Sequence, residues 1–236
     1  MSDAWALVDP TEPVLAPGIE RLRGSRREAL AGGAVHTGWK VGFNDPGIRS
    51  LVGIPSGVVG FLTDSTHATS GRVDIPHSGA AVEVEIAFRL SDTLGTSDDD
   101  ARVMAAIESI AAAFEVVVIG DLDITDGLAR DVWHHGYAVG DFVPWSSGVL
   151  EDVVLDLAHN GDDVEVPTPA AGPLADVASM LRFTASGAAA VGEALRANDV
   201  ILSGSLASAL VFVTPGDAVS VRSHVLGDLD LQLSAL

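Results

Sequence analysis

The chain has 236 residues, 47% of them hydrophobic, which allows a sizeable core and excludes wholesale disorder. A formal net charge of −20, from 33 acidic and 13 basic residues, speaks against nucleic acid or an anionic membrane as partner. With no cysteine there is no disulfide, thiolate zinc site or cysteine nucleophile; with no apolar run near 18 residues and no secretion signal at the amino terminus, a cytoplasmic location is expected.

Residues 1 to 17 carry three prolines and read as a loosely packed arm, and GIERLRGSRREALA at 18 to 31 predicts a short helix. In Gly38-Trp39-Lys40-Val41-Gly42-Phe43 the apolar residues alternate, predicting a strand with Trp39, Val41 and Phe43 on one face. Lys40, the only lysine among the 13 basic residues, is then either snorkelling at a surface or placed for work. Asn44-Asp45-Pro46 looks like the cap of a short helix running to 51, and short strands are expected at 58 to 62 and 71 to 75.

The stretch 81 to 90 alternates cleanly. Val82, Val84, Ile86 and Phe88 share one face, and Glu83 and Glu85 share the other with Ala87. Two carboxylates at i and i+2 lie roughly 7 Å apart and repel. They fit a solvated outer face, or a cation seated between them. Asp98-Asp99-Asp100 suits a helix start, and Val103, Met104, Ile107, Ile110, Ala111 and Phe114 are spaced like the face of that helix. Glu115 then falls where the helix gives way to a buried strand at 116 to 119, a junction where a charge needs a partner.

Strands from 149 to 168 turn at His159-Asn160-Gly161-Asp162, a helix covers 173 to 197, and strands follow at 199 to 204, 209 to 213, 218 to 225 and 228 to 234. There is no internal repeat and no long linker. The expected fold is α+β, with mixed strands and about three helices.

Three glutamates without a cysteine describe a hard-cation site, best suited to Mg²⁺ or Mn²⁺. At this point the segments become recognisable together: GWKVGFND, VEVEIAF, AAFEVVV, NDVILSGSL and VTPGDAVSV with LGDLDL. In order and spacing they resemble the fumarylacetoacetate hydrolase superfamily, in its branch of 2-hydroxypenta-2,4-dienoate (2-keto-4-pentenoate) hydratases and 4-oxalocrotonate decarboxylases. The resemblance implies a β-roll or sandwich with flanking helices over 38 to 236, preceded by an arm and helix at 1 to 37. It implies that Glu83, Glu85 and Glu115 bind the metal, that Lys40 works in the active site, and that Ser203, Gly204 and Ser205 help to line it.

One run departs from the branch. Asp131-Val132-Trp133-His134-His135-Gly136 keeps Asp131 and Gly136 where the hydratases carry an Asp-Asn-Ala-Ser-Ser-Gly type of sequence, but places larger residues between them. Asp131 is expected to touch substrate. His134 and His135 either act as acid or base or hydrogen-bond within a loop. The implied chemistry is hydration of a small 2-oxo or 2-hydroxy dienoic acid through an enolate stabilised by the metal, as in aromatic catabolism. Decarboxylation of a 4-oxalocrotonate-like acid, acylpyruvate cleavage or isomerisation, and a non-catalytic partner subunit are the alternatives. A homo-oligomer, and association with a related decarboxylase or hydratase, complete the expectation.

Overall fold

Two long neighbouring strands, β4 and β5, form the middle of the molecule, and everything that positions the glutamates follows from their pairing. The structure is a computed structural model that describes residues 5–120, 123–146, 148–207 and 209–236. In chain order the elements begin with α1 (Ala16–Ala31), β1 (His36–Gly42), α2 (Pro46–Val52), β2 (Val58–Thr63), β3 (Arg72–Ile75) and β4 (Ala80–Leu90). The middle of the chain supplies α3 (Asp100–Ala105), β5 (Ile107–Val118), α4 (Ile124–Ala129), β6 (His134–Val139) and β7 (Val143–Pro144). After the hairpin β8 (Asp156–His159) and β9 (Asp162–Val164) come α5 (Val177–Ala190), β10 (Val200–Leu202), β11 (Val211–Val213), β12 (Ala218–Arg222) and β13 (Leu229–Ala235).

The first sheet has the order β2-β1-β10-β4-β5-β6, with β11 added to β4 and β7 to β5; the second has the order β3-β13-β12-β8-β9. With helices flanking curled sheets, the fold is α+β, as expected. No helix among the described residues is long and apolar enough to cross a membrane.

The alternation at β4 is realised. Val82, Val84, Ile86 and Phe88 join Trp39, Val41, Phe114 and Val116 in the main core, which also takes in Leu181 and Phe183 of α5. The opposite face carries Ala81, Glu83, Glu85 and Ala87.

The helix expected through Phe114 stops at Ala105, and residues from Ile107 onward are β5, antiparallel to β4 along its length. Ile110, Ala112, Phe114 and Val116 are buried on one face, but Ala111 and Ala113 are buried on the other as well. A strand covered on both faces loses its polar alternation, and its alanines then mimic a helix. Glu115 is thus mid-strand, directly opposite Glu83, and not at a helix junction.

The amino-terminal arm is also packed more firmly than its prolines suggest. Leu15 is fully buried, the Trp5 and Phe183 rings lie 5.5 Å apart, and the Val8 N–H donates to Ser186 Oγ at 2.9 Å. Residues 149–151 form a 3₁₀ turn where a strand was expected, and β6 and β7 are strands that the sequence did not announce.

Candidate metal site

The pairing of β4 with β5 stacks Glu83 on Glu115, and Glu85 lies one step along β4 on the same face. One carboxylate oxygen from each of the three lies within 4.8 Å of the other two. Glu85 and Glu115 are 0% exposed, while Glu83 is partly open. The solvated outer face is therefore excluded for Glu85.

Lys40 approaches from β1. Its stem passes over Gly60 of β2, where a Cβ would stand 2.9 Å from Lys40 Cε and 2.7 Å from Asp131 Oδ1, so the glycine makes room for the lysine. The ammonium is 2% exposed and donates to Glu115 Oε1 at 2.8 Å and to the Val132 carbonyl at 2.9 Å. His134 Nδ1 meets the same Glu115 Oε1 at 2.8 Å. On the other buried glutamate, Oε2 accepts the Gly204 N–H at 2.7 Å. Gly204 has φ +82°, and a side chain there would run into Asn44 Nδ2 at 2.9 Å.

Each buried carboxylate thus has one oxygen engaged and one bare. Glu85 Oε1 and Glu115 Oε2 are buried with no hydrogen-bond partner among the described residues. A buried charged oxygen left unpaired is costly. All the free donors are carboxylate oxygens, so the group that fits is a hard divalent cation such as Mg²⁺, Mn²⁺ or Ca²⁺.

The electrostatics agree. Burial, reinforced by the charge of Glu115, pushes the Glu83 carboxyl up to about 7 against the pull of Lys40. Burial also raises Glu85 well above its usual range, with Glu115 and Glu83 adding to it. Glu115 goes the other way: burial would raise it, but the Lys40 charge and the His134 hydrogen bond bring it below the ordinary value. Lys40 is held above its usual range, because Glu115 and Glu83 outweigh its burial. Burial lowers His134 in spite of the hydrogen bond and charge of Glu115.

The other expected site residues divide. Asp131, Val132 and Trp133 all have left-handed backbones, with φ of 54°, 57° and 57°. Such residues cost of order 1–3 kcal/mol each and persist only where their surroundings hold them. Here the turn aims the Val132 carbonyl at Lys40 and lets Asp131 Oδ1 accept the Phe61 N–H at 2.8 Å. Burial raises the Asp131 carboxyl well above its usual range, and it forms part of the Lys40 pocket.

His134 and His135 are not in a loop, because β6 begins at His134. The ladder between β5 and β6 shifts between Val116 and Val117, leaving His135 as an extra residue. His134 consequently faces the carboxylates, whereas His135 Nε2 binds the Asp74 carbonyl at 2.7 Å and lies outside the cluster. The Ser203 hydroxyl is also spent: it accepts the Ile86 N–H at 3.1 Å and donates to the Gly204 carbonyl at 3.0 Å, extending the β10–β4 pairing. Ser205 Oγ is buried with no hydrogen-bond partner among the described residues, and the Ser205 carbonyl accepts from Asn44 Nδ2 at 3.1 Å.

Three further residues border the site. Thr66 Oγ1 lies 3.1 Å from His134 Nε2, and Tyr137 stands opposite Glu115 on β6. Phe43, expected on the core face with Trp39, follows the end of β1 with φ +56°, and its ring lies 5.8 Å from Trp133. Trp133 in turn packs with Ala81 and Val117, one step from the carboxylates on their own face. The Phe43 ring is partly buried and packs against both this small cluster and the main core.

Known proteins bear on this geometry. Residues 49–234 match the family described as the fumarylacetoacetate (FAA) hydrolase C-terminal. A 4-oxalocrotonate decarboxylase of a Pseudomonas species is 29% identical over 220 residues, covering 89% of this chain and 83% of the relative. A 2-hydroxyhexa-2,4-dienoate hydratase of Comamonas testosteroni is 28% identical over 214 residues, covering 84% and 78%. Among solved structures, the 4-oxalocrotonate decarboxylase from Pseudomonas putida G7, complexed with magnesium and adipate, superposes with a TM-score of 0.75 at 21% identity. That match covers 96% of this chain and 99% of that one.

Proposed function

Because the chain belongs to the fumarylacetoacetate hydrolase family, we propose that it is a lyase of small 2-oxo or 2-hydroxy dienoic acids, dependent on Mg²⁺ or Mn²⁺, with hydration as its leading reaction. One observation carries the reading: two buried carboxylate oxygens, Glu85 Oε1 and Glu115 Oε2, have no hydrogen-bond partner among the described residues and converge with Glu83. When bound, the cation supplies a Lewis acid to the keto oxygen of a 2-oxo acid.

The chain's own residues do the rest. Glu83, Glu85 and Glu115 hold the ion. Lys40 has three N–H donors, of which Glu115 and Val132 take two, so one remains for substrate. Its buried head group is placed to hold or move the proton at carbon or oxygen as the acid tautomerises. The neighbouring cluster of Leu62, Ala87, Ala111, Ala113, Tyr137 and Leu202 is almost wholly buried and keeps water out on that side. On the other side, Phe43 and Trp133 offer an apolar wall for a dienyl chain.

Decarboxylation is the second reading, favoured by the decarboxylase relative that spans 89% of this chain. A homo-oligomer, or assembly with a related hydratase or decarboxylase, belongs to the same proposal. The test is 2-hydroxypenta-2,4-dienoate with Mg²⁺, followed as loss of dienol absorbance, beside 4-oxalocrotonate with carbon dioxide detection. Hydration products support the leading reading; gas release without them favours the second. Silence on both overturns the two together.

A further inference from the structure

We infer that His134 is neither a metal ligand nor a group that touches substrate, but a positioning residue that makes Glu115 a one-oxygen ligand. The inference rests on the cation reading above and adds to it. Both ring nitrogens of His134 are engaged, Nδ1 at 2.8 Å from Glu115 Oε1 and Nε2 at 3.1 Å from Thr66 Oγ1. The side chain is 2% exposed, which leaves no nitrogen for an ion or for an incoming acid. In a neutral ring that donates through Nδ1, Nε2 accepts the single Thr66 hydroxyl proton, for which the Thr63 carbonyl, also at 3.1 Å, competes.

Glu115 Oε1 therefore receives two donors, Lys40 at 2.8 Å and His134 at 2.8 Å, while Oε2 receives none among the described residues. A carboxylate held in this way cannot turn both oxygens to a cation. The Gly204 N–H does the same to Glu85 Oε2. The two buried glutamates thus each present one oxygen, leaving positions of an octahedral ion open for a chelating substrate.

Two donors on one oxygen are not redundant. Lys40 divides its three N–H donors among Glu115, the Val132 carbonyl and an incoming acid. His134 is rigid, pinned at both nitrogens and aimed by the bulge at His135. That bulge is why His134 and Tyr137, three residues apart on one strand, both face the carboxylates: their partners on β5 are Val117 and Glu115.

The test is calorimetric titration of the parent, His134→Leu, His134→Asn, Thr66→Val, His135→Leu and Glu115→Gln with Mg²⁺ alone. Partners behind a metal ligand typically contribute 10–100-fold to metal affinity or activity, so His134→Leu is expected to bind Mg²⁺ at least tenfold more weakly. Asn carries an amide N–H near the position of Nδ1, and His134→Asn should recover most of that loss. Thr66→Val should weaken binding in the same direction by a smaller factor, and His135→Leu should leave it unchanged. Should His134→Leu fail to fold, the comparison of His134→Asn with Thr66→Val carries the test, and parental affinity in Thr66→Val overturns the inference. Parental affinity in His134→Leu overturns it too, as does His134→Asn falling as far as leucine. If Glu115→Gln binds weakly while His134→Leu binds normally, only the clamp is lost. A parent that binds no Mg²⁺ removes the cation reading beneath it.

Discussion

The two sheets use their acidic residues in opposite ways. In the five-stranded sheet they stay in water: Arg222 reaches Asp230 at 2.7 Å and Asp228 at 3.6 Å, with these side chains 44–70% exposed. Exposed pairs of this kind contribute about 0–1 kcal/mol and fade with salt. In the eight-stranded sheet, Glu85 and Glu115 are 0% exposed, with one ammonium between three carboxylates. Removing charges from water costs several kcal/mol per ion even after relaxation. In a chain of net charge −20, acidity at the surface is ordinary and acidity at this one rung of the sheet is not. The difference singles out the candidate site.

The largest effects come from removing what sets the buried rung apart. Glu83→Gln, Glu85→Gln and Glu115→Gln should each abolish Mg²⁺-dependent turnover and weaken Mg²⁺ binding measured by calorimetry. The variants at Glu83 and Glu85 should also melt no lower than the parent without Mg²⁺, since each relieves repulsion. Next comes Lys40. Lys40→Met should lose turnover by roughly 10² or more, the scale of a positioned acid–base group, and should melt lower without Mg²⁺ because Glu115 keeps its burial but loses its main counter-charge. Added Mg²⁺ should restore much of that stability. Lys40→Arg should keep Mg²⁺ binding and still lose turnover, as the guanidinium stays charged and cannot handle the proton.

How far these residues could be read from sequence depended on how many faces of a strand are buried. At β4 one face is apolar and the other carries Glu83 and Glu85, so alternation gave both the strand and its direction. At β5 both faces are buried, and Ala111, Ala112 and Ala113 erase the alternation, so Glu115 reads as a helix-to-strand junction although it lies within the strand. His134 and His135 could not be separated, because the bulge that turns one in and the other out is a property of the pairing with β5. The left-handed turn at 131–133 left no glycine to mark it. Lys40 was legible for a compositional reason, being the single lysine of the chain.

A smaller effect separates the sheets by pH. Glu83 has a folded value of about 7, above its unfolded value near 4.5. The folded state binds the extra proton between those values, so this group makes the Mg²⁺-free protein lose stability as pH rises from about 4.5 to about 7. Glu85 acts in the same sense over a range that also begins near its unfolded value. Glu115 opposes them, contributing stability that is present above 4.5 and lost as pH falls through its lowered folded value. Calorimetric melts across pH 5 to 8 should show the decline without Mg²⁺ and its flattening with saturating Mg²⁺, while Mg²⁺ affinity falls as pH drops below about 7. The smallest effect belongs to the second sheet. Arg222→Ala should change stability by no more than about 1 kcal/mol in denaturant titration and leave turnover unaltered.

The central claim is that Glu83, Glu85 and Glu115 hold a divalent cation through the oxygens left bare in the fold. A crystal structure grown with Mg²⁺ and oxalate, a chelating mimic of a 2-oxo acid, tests it most directly. The account predicts one ion bonded to Glu83, Glu85 Oε1 and Glu115 Oε2, with oxalate on its open side and His134 and Lys40 still on Glu115 Oε1. An ion bound elsewhere, or Glu85 and Glu115 left without one at saturating Mg²⁺, would contradict it.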